Sequence, residues 1–264
     1  MTQQEKRIEE LLEAMPPITL AEMSSIRLMN RTDKKYLTNI HTLMLLLEMT
    51  RESYYAQSID GQRVSSYATT YWDDERHTMY RTHQAGHLPR QKVRVRTYVG
   101  SNQSFLEVKK KDNHGKTRKK RVPVPSLDAV VEEHAGEDFL QERTGLTFDE
   151  LMPTVGNRFR RITLVNRNKT ERLTIDFDIT FVNYETHKER RMDNIVVIEL
   201  KRDGRVSSPI LPLLRKLRIK PSGFSKYCIG ATVTTPGLRV NRFKKRLVRI
   251  RKVQNKPLPA TAGT

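Results

Sequence analysis

Residues 91 to 111, QKVRVRTYVGSNQSFLEVKKK, alternate with the period of a β-hairpin, yet they crowd charge onto one face. Arg94, Arg96 and Tyr98 share a face of the first predicted strand, and Glu107, Lys109 and Lys111 share a face of the second. A half-buried strand normally alternates apolar and polar positions, with the polar side in water. The same pattern recurs downstream. In ERLTIDFDITF, Leu173, Ile175, Phe177, Ile179 and Phe181 are expected on one face, with Arg172, Thr174, Asp176 and Asp178 on the other. In NIVVIELKR, Val196, Ile198 and Leu200 oppose Glu199 and Lys201, and in RFRRITLV Arg161 shares a face with Phe159 and Thr163. In RTDKKYL, Arg31, Asp33 and Lys35 fall together.

Two architectures accommodate this pattern. In the plainer one the charged face meets solvent and the greasy face packs on helices, the usual case for a single strand. In the other the sheet closes into an antiparallel barrel, charged face inward, and a barrel of that kind encloses a ligand cavity. An inward ring of arginine and lysine needs partners, which a bound polyanion with a metal cation would supply. Recurrence of cations on so many strands favours the barrel, because a merely solvated face tolerates Ser, Gln and Glu as readily.

Charge balance points the same way. The 264 residues carry 49 Lys and Arg against 30 Asp and Glu, a net +19. That excess implies a polyanionic partner: nucleic acid, an anionic membrane surface or a phosphate-rich small molecule. One cysteine, Cys228, excludes an internal disulfide and a cysteine zinc cluster, fits a reducing cytosol and reads as buried and inert. The charged N-terminus is not a signal peptide, and LMLLLEM is far short of a membrane span, so a cytoplasmic location is expected.

Helices are predicted at TQQEKRIEELLEAM, at NIHTLMLLLEMT with Asn39 as its cap, through residues 124–153 with breaks at Gly136 and Gly145, at SSPILPLLRKLRI, and at the basic VNRFKKRLVRIRK. GFSKYCIGATV reads as a final strand or a loop, and residues 255–264 as a disordered tail behind a single domain, 1–254. Lone His83 and His114 have no second ligand at metal spacing and read as structural or surface groups. Tyr71 and Trp72 read as packing rather than base-stacking residues.

Taken jointly, RTDKKYL, YATTYWDD, MYRTHQAG, KVRVRTY, FLEVKKK, KKRVPV, RFRRITL, ERLTIDFDI, VVIELK and GFSKYCIG resemble the VTC domain, from about Arg31 to Gly230. That family contains polyphosphate polymerases and belongs to the triphosphate tunnel metalloenzymes, or CYTH superfamily. The chain looks like a free-standing bacterial form. The resemblance implies an α+β fold, an antiparallel β-barrel (the triphosphate tunnel) with a charged lumen, flanked by helices. By motif it implies Lys35, Arg81, Arg94, Arg96, Lys109, Arg161, Arg172 and Lys226 as catalytic phosphate ligands, with Arg31, Lys111 and Ser225 as further substrate contacts. Glu199 matches the metal-binding glutamate, and the cofactor implied is Mn²⁺ or Mg²⁺.

There are departures from the family pattern. Phe159 stands where a tyrosine commonly precedes the motif's arginine, and Gly223 where the eukaryotic polymerases carry a further lysine. Arg31-x-Asp33-x-Lys35 replaces the Glu-x-Glu-x-Lys of the hydrolytic and cyclase branches, which argues against a thiamine triphosphatase or an adenylate cyclase.

The implied activity is transfer of the terminal phosphate of a nucleoside triphosphate, ATP, to a growing polyphosphate chain. Phosphoryl transfer needs positioning and charge stabilisation more than covalent help, and arginine grips phosphate oxygens bidentately while staying charged. Hydrolysis of triphosphate or polyphosphate in the same tunnel, and a non-catalytic polyanion-binding module, are the alternatives. No RRM or zinc-finger motif supports a specific nucleic-acid partner. Plainer readings stand beside several assignments. Glu199 pairs with Lys201; Asp176 and Asp178 bridge to arginines; Glu107 pairs with Lys109 or an arginine; Lys111, Lys119 and Arg121 are surface charge.

Overall fold

A computed structural model describes residues 2–24, 26 and 31–255. In chain order the elements are α1 (Gln3–Glu13), β1 (Pro17–Ile18), α2 (Leu20–Ser24), β2 (Arg31–Asn39), α3 (Ile40–Thr50), β3 (Tyr54–Gln57), β4 (Ser65–Asp73) and α4 (Thr78–Ala85). The hairpin strands β5 (Arg90–Tyr98) and β6 (Gln103–Lys111) lead into β7 (Thr117–Val124), α5 (Leu127–Glu132) and α6 (Glu137–Thr144). Then come β8 (Met152–Asn166), β9 (Glu171–Asn183), β10 (Glu189–Met192), β11 (Ile195–Asp203), α7 (Ile210–Lys216), α8 (Lys226–Thr234) and α9 (Lys244–Gln254). Of the expected tail, only Asn255 lies among the described residues.

Local chemistry accounts for the helix starts. Thr2 and Glu5 form a capping box on α1, and Asn39 accepts from the Thr42 backbone N–H to start α3. Ser126 does the same for α5, and Ser225 for α8.

The main sheet runs β2-β11-β9-β8-β4-β5-β6-β7, every neighbour antiparallel. Its greasy face is covered in two patches. Ile162, Leu164, Leu173, Ile175, Ile198 and Leu200 pack under α1, α3 and α7. Val93, Val95, Leu106 and Val108 pack with Val130 of α5 and Leu140 of α6. Each fully buried aliphatic side chain contributes roughly 1.5–3 kcal/mol of transfer free energy. Glu171, itself buried, accepts from the Tyr54 and Ser208 hydroxyls and so pins the entry to α7 onto the sheet.

Three expectations are corrected. First, the greasy face of β9 does not run unbroken from Leu173 to Phe181. Asp178 has φ 50°, and Arg158 and Arg160 of β8 pair with Thr180 and Phe177, so β9 carries one extra residue there. A bulge of this kind flips the phase of everything beyond it. Phe177 stays in the outer core, whereas Ile179 and Phe181 turn to the opposite face and meet α8. Second, GFSKYCIGATV is neither strand nor loop beyond Ser225 but helix α8. Third, the sheet does not close by strand pairing: β2 and β7 end the order, and among the described residues no ladder joins them. The outer edge of β2 is covered instead by Pro221, which bridges Tyr36, and by the Ser222 N–H, which donates to the Lys35 carbonyl at 2.8 Å.

Helix α8 fits against the sheet only because position 230 is glycine. A Cβ there would lie 2.7 Å from both Phe181 and Val155 side chains. Gly230→Val is expected to lose about 1–3 kcal/mol of stability through overpacking, read as a lower urea midpoint with unchanged m-value.

Candidate phosphate site

Antiparallel register assembles the charged face residue by residue. Lys35 lies opposite Glu199, Arg161 opposite Asp176, Arg94 opposite Glu107, and Lys92 opposite Lys109. Arg172, half-buried, lies opposite Lys201 on the same face. All these positions share one strand phase.

The sheet curls over this face. Lys35 Nζ donates to the Phe224 carbonyl at 3.1 Å, and Lys92 Nζ donates to Ser225 Oγ at 2.7 Å. Phe224 and Ser225 are adjacent, so their Cα atoms are about 3.8 Å apart. In a flat sheet β2 and β5 would stand about 24 Å apart, five interstrand steps of roughly 4.8 Å. Two lysine side chains cannot span that, so the strands must bend toward one another. The segment Pro221–Ser225 therefore ties β2 to β5 across the charged face.

Two buried carboxylates organise the cations. Glu107 accepts from Arg94 Nε at 2.7 Å and from Lys119 Nζ at 2.8 Å, while Arg94 also donates to the Tyr71 hydroxyl at 3.2 Å. Asp176 accepts from Arg161 through both oxygens, at 2.6 and 2.9 Å, and from Lys226. Burial alone would raise Glu107, but Arg94, Arg96 and Lys119 outweigh it and bring it down to about 2. Asp176 falls below the usual carboxylate range for the same reason, with Arg161 and Lys226 outweighing burial.

Cations still outnumber carboxylates. Among the described residues Arg96 makes no ion pair; its Nε donates to Thr69 Oγ1 at 3.3 Å, and its guanidinium lies 5.7 Å from the Tyr67 ring centroid. Burial, then Arg94 and Arg161, lower it to about 10, and it remains charged. Burial, then Lys35, lower Lys109 to about 8, and burial lowers Lys226 to about 7 despite Asp176.

Glu199 is the remaining acid of this face's centre. Burial pushes it up, but Lys35, Lys201, Lys109 and Arg161 together hold it below its ordinary value. Among the described residues no cation stands within ion-pair distance of it. Opposite it, the Thr174 hydroxyl is buried with no hydrogen bond among the described residues, as are both amide atoms of Asn157. No cluster of three His, Cys, Asp or Glu side chains occurs among the described residues. A hard divalent cation held by one carboxylate, completing its shell with phosphate oxygens and water, fits this donor set.

The implied ligand set is thus largely gathered. Lys35, Arg94, Arg96, Lys109, Arg161, Arg172, Lys226 and Glu199 share the charged face, and Ser225 caps α8 while accepting from Lys92. Lys111 lies at the end of β6, opposite Arg90. Arg81 stands apart, exposed on α4. The Arg31 side chain lies outside the described residues.

Sequence reasoning missed Lys92, although it continues the phase of Arg94 and Arg96. It also left His83 and Cys228 unconnected. The structure sets His83 Nδ1 3.1 Å from Cys228 Sγ, which only the placement of α4 beside α8 reveals. Trp72 is packing, as expected, against Phe148. Glu107 and Asp178 pair with arginines, Asp178 with Arg191 at 2.9 Å.

Glu107→Gln leaves two cations without their shared counter-charge. A loss of roughly 3 kcal/mol is expected, and added tripolyphosphate should recover part of it in a thermal melt.

The VTC domain matches residues 30–235. No curated protein sequence matches the chain. Among solved structures, a candidate adenylyl cyclase from Hippeastrum, described as having a dominant triphosphatase activity, aligns at TM-score 0.49 and 12% identity over 78% of this chain and 97% of its own. A candidate adenylate cyclase from Bacillus halodurans aligns at 0.48 and 12%, over 82% and 100%. An RNA triphosphatase of S. pombe aligns at 0.30 and 8%, over 98% and 95%. At these identities and TM-scores the likeness carries nothing about activity to this chain.

Proposed function

The chain belongs to the VTC domain family, and from that premise we propose that it moves the terminal phosphate of a nucleoside triphosphate, ATP, onto a polyphosphate chain. The reaction would run in a charged channel under the curled sheet, within one tunnel domain spanning 1–254. The observation that carries this reading is the surplus of cations on one concave face, with Arg96 buried and Lys35, Lys92 and Lys226 half-buried, joined by a carboxylate, Glu199, that makes no ion pair among the described residues. Such a face is incomplete without a polyanion.

Arg94, Arg96 and Arg161 would grip phosphate oxygens and hold the transferring group in line. Lys35, Lys109 and Lys226 would neutralise charge as it develops on the equatorial oxygens. Glu199 would hold Mn²⁺ or Mg²⁺, which when bound would supply positive charge to offset that of the phosphate. Curling of the sheet and α8 would exclude water from the face. Among the described residues no helix is long and apolar enough to cross a membrane.

Hydrolysis of triphosphate or polyphosphate is the second reading. Incubation with ATP and Mn²⁺ separates the two: polyphosphate on a stained gel supports transfer, and release of orthophosphate alone supports hydrolysis.

Glu199→Gln keeps the shape and removes the charge. It is expected to abolish metal-dependent turnover with an unchanged unfolding midpoint; normal turnover at limiting Mn²⁺ would refute the assignment.

Triphosphate binding should also be proton-linked. Lys109 and Lys226 titrate low in the free protein, near 8 and 7, so at pH 8 a sizeable fraction is neutral. A bound anion favours the charged form and raises both values, so binding at pH 8 takes up protons, and affinity falls from pH 7 to pH 9. Calorimetry in buffers of different ionisation enthalpy measures the uptake. Proton release on binding would contradict the assignment.

A further inference from the structure

The charged face continues past the residues that a triphosphate would engage. Along β5 the inward positions run Arg96, Arg94, Lys92, Arg90, and Arg90 pairs with Lys111 at the end of β6. At roughly 3.4 Å per residue, Arg96 and Arg90 stand about 20 Å apart along the strand. A three-phosphate chain centred on Arg94, Arg161 and Glu199 is much shorter than that.

A further cation reaches this end from an element outside the matched residues 30–235. Arg246 of α9 lays its guanidinium against the bare backbone of Gly223, where a Cβ would lie 3.4 Å from its Nη2. Arg246 is also 5.3 Å from the centroid of the Phe243 ring. Arg90, Lys111 and Arg246 are all half-buried, and among the described residues none makes an ion pair. Like charges gathered at one end of a partly desolvated groove repel one another, so a cluster of this kind is relieved by an anion. His83 sits among them. Burial first, then Lys92, Arg90, Arg246 and Lys111, push its imidazole down to about 2, so it stays neutral and adds no charge of its own. Arg90 and Lys111 also line a cavity of about 1220 Å³ together with Lys110, Lys116 and Arg118, and with the acids Asp74, Glu75, Asp112, Asp149 and Glu150.

We propose that Arg90, Lys111 and Arg246 form a distal anion subsite that binds the trailing phosphates of a linear polyphosphate, beyond the reach of a triphosphate. This rests on the reading of the charged face as a phosphate site. It assigns α9 a part in binding and makes affinity depend on chain length.

The test is calorimetric titration of the full chain with tripolyphosphate and with long-chain polyphosphate at one ionic strength, for wild type, Arg246→Gln and Arg90→Gln. Each variant is expected to bind the long chain roughly tenfold more weakly, the size of one charge-assisted hydrogen bond, with tripolyphosphate affinity unchanged. Unchanged long-chain affinity overturns the subsite. An equal loss for both ligands also overturns it, because the two cations would then act only as a general field. Should wild type bind neither ligand, the phosphate-site reading itself fails, an outcome distinct from failure of the subsite. Arg246→Gln keeps the stem over Phe243; if its unfolding midpoint drops, Arg90→Gln at the strand end decides the matter.

Discussion

Asp176 holds the site together by serving two cations at once. It lies on β9, Arg161 on β8 and Lys226 at the first position of α8. A buried carboxylate between two cations is stable only while both remain, since removing either partner exposes an unpaired charge to a poorly solvating interior. The pairing therefore fixes the helix against the sheet as firmly as apolar contact does. Tyr227, the next residue, stacks on Tyr71 at 5.1 Å and donates to Asp73, which in turn accepts from the first-turn N–H groups of Met79 and Tyr80 in α4. One acidic group on the sheet and one at its edge thus set the positions of α8 and α4, and with them the shape of the space above the charged face.

That space has an electrostatic consequence. Salt bridges satisfy Arg94 and Arg161, but among the described residues Lys35, Lys92 and Lys109 make no ion pair, Lys35 donating to the Phe224 carbonyl and Lys92 to Ser225. Lys92 is lowered, by burial first, and Cys228 and Tyr71 only partly offset it. Lysines suit this role and arginines do not, because an ammonium on a flexible stem can lose its proton when unligated and regain it with the ligand. The face thus keeps its arginines permanently charged for grip. On the phosphate-site reading, Lys109 and Lys226, lowered to about 8 and about 7, would adjust their charge to occupancy, which lowers the cost of the empty state.

Much of this was legible in the chain. The alternation in KVRVRTY, FLEVKKK, FRRIT and VVIELK put Arg94, Arg96, Lys109, Arg161 and Glu199 on one face, and the register confirms it. What was not legible has physical causes. Asp178 reads as one more polar position in an unbroken alternation, because a bulge needs only one residue at positive φ and leaves no mark on hydropathy. Helix α8 is apolar on nearly every side, since it is buried between the sheet and α4, so it has no helical period to detect. The closure was misread for a related reason: ladder pairing was expected where side-chain and single backbone bonds from Pro221–Ser225 do the joining.

The mode of closure bears on how the site works. A fully laddered barrel has a nearly fixed circumference, because every strand is tied to two others by rows of backbone hydrogen bonds. Here the span between β2 and β5 depends on a few contacts, among them Ser222 N–H to the Lys35 carbonyl, Lys35 to the Phe224 carbonyl and Lys92 to Ser225. Two of these contacts are made by lysines of the charged face. On the reading of this face as a phosphate site, a phosphate drawing Lys35 and Lys92 toward itself would compete with the bonds that hold the seam. Occupancy of the face and the span of the curled sheet would then be coupled through the same two side chains by way of Pro221–Ser225.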